Sequence, residues 1–545
     1  MVKRLITLIL VGVLSLTAQF STFPSKSYFR QQWSRPPLNV EIEPVSHLRD
    51  FLYDSKIELS LRAYLELVMS NNPDVNLQKL AIIEQRNNIQ RAYSPFDPNV
   101  IADFRSNRST TPSIDQLQGA DVRSRLNQTG GFTYSQSLDT GTDYTIGYTG
   151  GKFADNSQFA NFNPSITQSM QFTVSQNLLR GRGRYVQRIP IMVAQSRLTQ
   201  TEEQVRERIL TLIFQAENAY WNAINSRERL KVEENNLEIS RAFLEQEKLR
   251  LELGAISPLD IFQPEQNFAN AQVRVTQERY RLQQFEDAVR RWIGADLHPD
   301  FRHHPLELTE PVEPRFYMEI PDPEEVVARA LGNRPELAQT RRALEIDDLN
   351  IKGFTNDIRP DLSINANYSS QGRSGNFFDR RGLGGSIAEV IPGGFPQAID
   401  QLFQFRYPTY GFGLVLQLPL RNRRAAADLA NAAIQKKRNL YNLRSDEQTV
   451  RLEVLQAISG VELSKAAVNQ ARIALGFAQK RLDAEQKKYD LGVNTAFFVL
   501  QAQNDLVDAQ AQVLAQAIAY RRSLLTLLQS TGELLGARSI ALGSP

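Results

Sequence analysis

Leu251-Glu252-Leu253-Gly254-Ala255-Ile256-Ser257-Pro258-Leu259-Asp260-Ile261 interrupts a long helical heptad pattern that resumes at once on its far side. Leu230, Leu237, Leu244 and Leu251 lead in at steps of seven, and Ile261, Phe268, Val275, Leu282 and Val289 lead out at the same step. That spacing is the mark of two packed helices, so the stretch is read as the tip of a helical hairpin with Gly254 and Pro258 in the turn. The same pattern recurs at Tyr489-Asp490-Leu491-Gly492-Val493-Asn494, offset by 492 − 254 = 238 residues, with Val499, Leu506, Val513, Tyr520 and Leu527 beyond it. One large unit is therefore built twice.

Composition narrows the function classes. The 545 residues hold 63 Lys and Arg against 60 Asp and Glu, a formal charge of +3, too balanced for a nucleic-acid binder. There is no cysteine, which excludes disulfides, thiolate metal sites, a cysteine nucleophile and a lipidated cysteine. Lys3 and Arg4 precede an apolar run from Leu5 to Leu16, the layout of a secretory signal over 1–18. No later apolar run is long enough for a membrane helix.

Residues 19–56, rich in proline and aromatics, are read as an N-terminal arm. The first repeat then occupies 57–295, a proline-rich linker 296–323, the second repeat 324–531 and a tail 532–545. Each repeat opens with a helix broken near its start, at Asn72-Pro73 and at Arg334-Pro335, an offset of 335 − 73 = 262. Each continues into strands of period two: Val100, Ala102 and Phe104 alternate with Ile101, Asp103 and Arg105, as Leu362, Ile364, Ala366 and Tyr368 do with Ser363, Asn365 and Asn367. Met170 to Leu178 and Phe412 to Leu418 close the two sets. One apolar, aromatic face and one small, polar face suit a transmembrane barrel with a wet lumen, and equally a half-buried soluble sheet. A further hairpin at 132–148 either extends this sheet or lies outside it, and 372–407 is expected to be a long exposed loop.

Arginines cluster where strands return to helix, Arg180, Arg182 and Arg184 in the first repeat and Arg421, Arg423 and Arg424 in the second. They fit a membrane interface meeting lipid phosphates, or a solvated turn. Long helices follow, about 191–253 and 425–491. About 60 helical residues reach about 90 Å, whereas a return arm of about 35 reaches only about 50 Å. The short helix opening each repeat supplies the difference if it stacks end to end on the return arm.

Enzymatic motifs are weak. Gly147-Tyr148-Thr149-Gly150-Gly151-Lys152 is one residue short of a phosphate loop and lies in a hairpin, and His298, His303 and His304 lack a fixed ligand spacing. No catalytic, cofactor or metal residue is assigned.

Asn72-Pro73 and its second copy, Gln176-Asn177-Leu178-Leu179-Arg180-Gly181, Leu253-Gly254 with Asp260, and Tyr489-Asp490-Leu491-Gly492 with Leu500-Gln501-Ala502 together resemble the TolC-like family of outer-membrane efflux proteins. The resemblance covers nearly all of the chain beyond the signal. It implies an α+β membrane protein: a homotrimer sharing one outer-membrane β-barrel, usually four strands from each chain, continued by a periplasmic α-helical barrel of coiled-coil hairpins. It implies the outer membrane of a diderm bacterium, contact with outer-membrane lipid, and partnership with a periplasmic adaptor and an inner-membrane pump. The protein is then a passive exit duct of a tripartite efflux or type I secretion system, not an enzyme. The alternative is a periplasmic coiled-coil adaptor that spans nothing, which needs only one hairpin.

The resemblance also points to the tips. Gly254 and Gly492 mark the adaptor-docking ends, and Asp260, Tyr489, Asn494, Phe498 and Gln501 the periplasmic aperture. In the family an acid of the first tip joins a tyrosine and an arginine of the second; here Asn494 stands where the arginine would be, and Phe498 and Gln501 where acids would line the pore. Phe498 is expected either to narrow the pore as an apolar ring or to pack between hairpins.

Overall fold

The computed structural model describes residues 48–53, 56–114, 118–299, 301–312, 319, 322–382 and 385–540. The expected signal and most of the expected arm lie outside them. The first repeat runs through β1 (Leu52–Tyr53), β2 (Lys56–Leu59), α1 (Leu61–Asn71), α2 (Pro73–Tyr93), β3 (Asn99–Pro112), β4 (Val122–Ser137), β5 (Thr142–Asp155), β6 (Phe162–Asn177), α3 (Ile189–Glu252) and α4 (Phe262–Trp292). After β7 (Leu306–Leu308), the second has α5 (Pro323–Asn333), α6 (Pro335–Asp357), β8 (Asp361–Arg380), β9 (Ile387–Ile391), α7 (Phe395–Phe403), β10 (Tyr407–Gln417), α8 (Arg423–Asp490) and α9 (Ala496–Ser530).

The mismatch in helix length is resolved by stacking. The 64 residues of α3 span about 96 Å, twice the reach of the 31 residues of α4. Asn72 closes the gap. Its Oδ1 accepts from the N–H groups of Asp74 and Val75, capping α2, while its Nδ2 donates to the carbonyl of Trp292 at the end of α4. Arg334 does the same work in the second repeat, donating to the carbonyls of Gln529 and Ser530 at the end of α9 and pairing with Glu453 of α8 at 2.8 Å. Each broken helix thus receives the end of a return arm at its break. The proline fixes the start of the second segment.

The first helix begins four residues later than its periodicity predicts. Ser60 caps it, its Oγ accepting from Ala63 N–H, and residues 56–59 form β2 instead. Ile57 and Leu59 are buried while Lys56 and Glu58 are exposed, a period of two hidden inside an apparent helical register. The linker contributes β7, which pairs in parallel with β2 to complete a three-stranded sheet. This belt packs against α3. Tyr64 and Tyr220 meet at 5.3 Å, and their hydroxyls donate to the carbonyls of Ala216 and Leu59. The tail adds Arg538, which pairs with Glu217, a carboxylate only 1 % exposed that also accepts from the Trp221 indole.

The large sheet is antiparallel in the order β10-β8-β6-β5-β4-β3, with β9 added beside β8. The hairpin expected at 132–148 extends over 122–155 and joins the sheet, so the chain supplies six long strands rather than the four usual for the family. Register places Val100, Tyr134, Ile146, Phe172, Tyr368 and Tyr410 in one row across all six strands. The adjacent row, on the opposite face, reads Ile101, Thr133, Gly147, Gln171, Ser369 and Thr409. One face is aromatic and aliphatic, the other small and polar.

The stretch 372–407 is not an exposed loop. It completes β8, returns through β9 and lays α7 against β8. Its glycines mark close backbone approach instead of free chain: a Cβ on Gly372 would sit 1.9 Å from the carbonyl oxygen of Ala398 in α7. Among the described residues no helix is long and apolar enough to cross a bilayer.

Arg538→Ala leaves the buried Glu217 carboxylate without its counter-charge and is expected to cost about 3 kcal/mol. A lowered thermal midpoint in circular dichroism checks this, with Arg538→Lys recovering part of the loss.

Candidate functional site

Both hairpin tips end in the same turn. Gly254 and Gly492 have φ of +69° and +71°, and the residue after each, Ala255 and Val493, donates its N–H back to the carbonyls of Arg250 and Lys488. A left-handed residue closing a helix end in this way favours glycine. Nothing lies within 4 Å of where a Cβ would stand on either, so the demand is one of backbone and not of space. Around the turns Leu253, Leu259, Leu491 and Val493 are each at least three-quarters exposed. Gathered at the hairpin tips, these side chains make an exposed apolar patch.

Behind the tips a polar latch joins the two hairpins. The Tyr489 hydroxyl donates to Glu247 Oε2 at 2.5 Å, and Arg250 stacks over the Tyr489 ring at 4.6 Å. Arg250 also approaches Glu247 Oε1 at 3.6 Å and Asp490 Oδ1 at 3.8 Å. Phe243, Val499 and Leu500 enclose the ring in a small apolar cluster. Burial, and then the carboxylate that accepts its proton, push the Tyr489 hydroxyl up to about 12.

Asp260 takes no part in this latch. Its carboxylate accepts from Ser257 N–H and serves its own turn. Asn494 donates to Glu485 of α8, whose carboxyl is held below its ordinary value first by the Lys488 ammonium and then by this amide. The acid and the arginine that meet Tyr489 are Glu247 and Arg250, not Asp260 or a residue at 494. Periodicity contained a signal for Glu247: it continues the series Ser226, Glu233, Ser240, Glu247 at steps of seven, and all four are buried. The leucine series hid it. Leu230, Leu237 and Leu251 are only half-buried, so the better-covered stripe of α3 is polar.

Beyond Glu247 that stripe binds α4, and α4 in turn meets the second hairpin through side-chain hydrogen bonds. Asn267 of α4 donates to Ser240 and accepts from Asn504 of α9, both at 3.2 Å, and Arg274 bridges Glu233 and Asn504. On the other side of α9, Val499, Leu506 and Val513 are buried, while Phe498, Gln501 and Gln512 are exposed and Asp505 pairs with Arg481 at 2.5 Å. Phe498 is 43 % exposed and meets its neighbour Phe497 edge-on, at 5.4 Å.

The arginine clusters divide. Arg180 pairs with Asp361 at 2.6 Å, and Arg184 and Arg188 pair with Asp139 in the β4–β5 turn, fastening strand ends to the helices. Arg182, Arg421, Arg423 and Arg424 are exposed. Among the described residues no cluster of histidine and acids could hold a metal ion.

A sheet apolar on one face and polar on the other, set on two helices of about 100 Å, is the build expected of an outer-membrane channel chain with a helical extension. Residues 326–533 match the family described as outer membrane efflux protein. The efflux protein BepC of Brucella suis is 21 % identical over 479 residues, covering 87 % of this chain and 86 % of that protein. The probable efflux pump outer membrane protein TtgC of Pseudomonas putida is 20 % identical over 333 residues, covering 61 % and 62 %. Among solved structures, the CmeC outer membrane channel of Campylobacter jejuni matches with a TM-score of 0.62 at 14 % identity, over 91 % of this chain and 90 % of that one. The outer membrane protein VceC of Vibrio cholerae matches with 0.59 at 14 %, over 87 % and 96 %. The chain shares the fold of these outer-membrane channels along nearly its whole length, and its second repeat matches the outer membrane efflux protein family.

Because the Tyr489 value is raised above its ordinary 10.0, the latch is complete below pH 10 and is lost as pH rises through about 12. Bilayer conductance of the wild type is expected to climb across that window. Tyr489→Phe, which keeps the ring and removes the donor, should be open already at neutral pH and show no alkaline step.

Proposed function

We propose that this protein is the outer-membrane exit duct of an efflux assembly, built as a homotrimer that receives substrate from a periplasmic adaptor and an inner-membrane pump. The observation that carries the reading is the two-faced sheet, continuous at its end with the paired long helices. An apolar face turned to lipid and a polar face turned to a wet lumen require a closed barrel, since hydrocarbon offers no partner to an unpaired strand edge. β3 and β10 are the edges of the six-strand path, and a second and third copy supply their partners. Three sheets of six strands close a barrel of about 18, roughly half again as wide as one built from four strands per chain.

The exposed apolar tips fit docking to the adaptor. The latch of Tyr489, Glu247 and Arg250 fits a resting closure that holds the second hairpin against the first. Phe498, open in the single chain, fits an apolar ring repeated around the axis that hinders water and ions. The exposed arginines at the strand-to-helix returns fit the inner headgroup layer of the membrane. Selection of cargo then falls chiefly to the pump.

Two measurements test this. Leu253→Asp with Leu491→Asp should abolish cross-linking to the adaptor and export, while the chain still reaches the outer membrane as a heat-modifiable trimer; export at the wild-type level would remove the tips from docking. Phe498→Ala should raise single-channel conductance several-fold, and the wild type should resist block by multivalent cations. Unchanged conductance would place Phe498 between hairpins.

A further inference from the structure

α7 lies on the apolar face of the sheet, at the end remote from the long helices. Ser370 Oγ donates to the carbonyl of Leu402 at 2.9 Å, the N–H of Arg373 donates to Gln401 Oε1 at 3.0 Å, and Gly372 lets the helix backbone touch the strand. Phe405, in the left-handed region at φ +52°, turns its ring onto Tyr368 at 6.0 Å. Ser370, Gly372 and Tyr368 alternate along β8 on the same face as Phe172 and Ile146. That face is the one read as meeting lipid.

The seat under α7 lies where the apolar rows of that face give out. Below it the rows are largely aromatic and aliphatic, but the row that starts at Phe104 continues through Gly130, Gly150, Gln168 and Gly372 as small and polar residues, and Gln168 is only 2 % exposed. Gln168 accepts from the Tyr148 hydroxyl at 2.6 Å. A bare polar row facing hydrocarbon would be costly, and α7 covers it. The helix itself carries three stripes. Ala398 and Leu402 are buried on the sheet, Phe395 and Phe403 flank them, 50 % and 63 % exposed, and Gln397, Asp400 and Gln404 lie exposed on the other flank. A helix with a seated stripe, an apolar flank and a polar flank is matched to a boundary between oil and water.

Its height agrees. Gly372 lies eleven residues beyond Asp361 at the helical end of β8. At about 3.3 Å per residue and a tilt of about 40° that is about 28 Å along the membrane normal, against an apolar band of about 25 Å. We propose that α7, with Phe405, is an interfacial anchor lying in the outer leaflet, its phenylalanines among the upper acyl chains and Asp400 and Gln404 among the headgroups. The inference rests on the barrel reading above, and it predicts a lipid contact outside the barrel wall.

The chain has no cysteine, so single-cysteine variants take one label each. Phe403→Cys, Gln404→Cys and Phe172→Cys would be labelled with a nitroxide and reconstituted in phosphatidylcholine–phosphatidylglycerol vesicles. Collision with oxygen is compared with collision with a water-soluble nickel chelate. The oxygen-to-nickel ratio at 403 should exceed that at 404 at least about fivefold and approach that at 172, because apolar oxygen partitions into acyl chains. If 403 matches 404 in nickel access while 172 stays oxygen-dominated, the barrel stands and the anchor is wrong. If 172 is nickel-dominated too, the sheet is not in lipid and both readings fall.

Discussion

Every backbone N–H and carbonyl at membrane depth needs a partner within the protein, and one copy of this chain leaves two strand edges without one. The rest of the architecture follows from that debt. The sheet cannot be an independent domain, so it has little core of its own, and its long strands rely on cross-strand rows for order. Those rows fix the register, because a slip by one residue would turn Tyr134, Ile146 and Phe172 toward the lumen and Thr133, Gly147 and Gln171 toward the lipid. The helices inherit their placement from the strands, fastened by Arg180 to Asp361 and by Arg184 and Arg188 to Asp139. Such exposed pairs contribute little stability each, yet they fix how the strand ends meet one another and the start of the helix.

Much of this was legible in the sequence, for definite reasons. The duplication, the two tips and the broken opening helices are carried by local signals: steps of seven, glycine after a helix, proline at a first turn. The end-to-end stacking followed from length alone, before Asn72 and Arg334 were seen to make it. What the sequence concealed depends on contacts between distant segments. Ile57 falls in helical register with Leu61 and Leu65, and only β7, some 250 residues away, pairs it and Leu59 as a strand. Gly372, Gly375 and Gly393 looked like loop residues because a close approach and a flexible chain use the same amino acid. At the candidate site, Tyr489 was legible and its acceptor was not. Glu247 sits on a different helix, 242 residues away, beside a leucine series that drew attention from the polar one.

The two repeats also show how one plan tolerates different parts. Asn72 and Arg334 occupy equivalent breaks and both bind the end of a return arm, one by a short amide and the other by a long guanidinium reaching a partner on the neighbouring helix. The second hairpin packs more of its seam from aliphatic residues, with Val450, Val454, Val461 and Val468 buried in a series with Tyr520. The first buries serines, glutamates and an asparagine at comparable depth.

That difference bears on how the end of the tube can move. Separating an aliphatic seam exposes surface that water receives poorly, at about 25 cal/mol for each Å². Separating Asn504 from Asn267 and Arg274 instead hands each group to solvent that can replace its lost hydrogen bond almost in kind. That joint between hairpins is therefore exchangeable, firm while dry and cheap to wet, whereas the apolar cluster of Phe243, Tyr489, Val499 and Leu500 nearer the tips and the seam within the second hairpin resist water. A force applied at the tips would meet that apolar cluster first and, once it parted, find the polar joint behind it open at little cost.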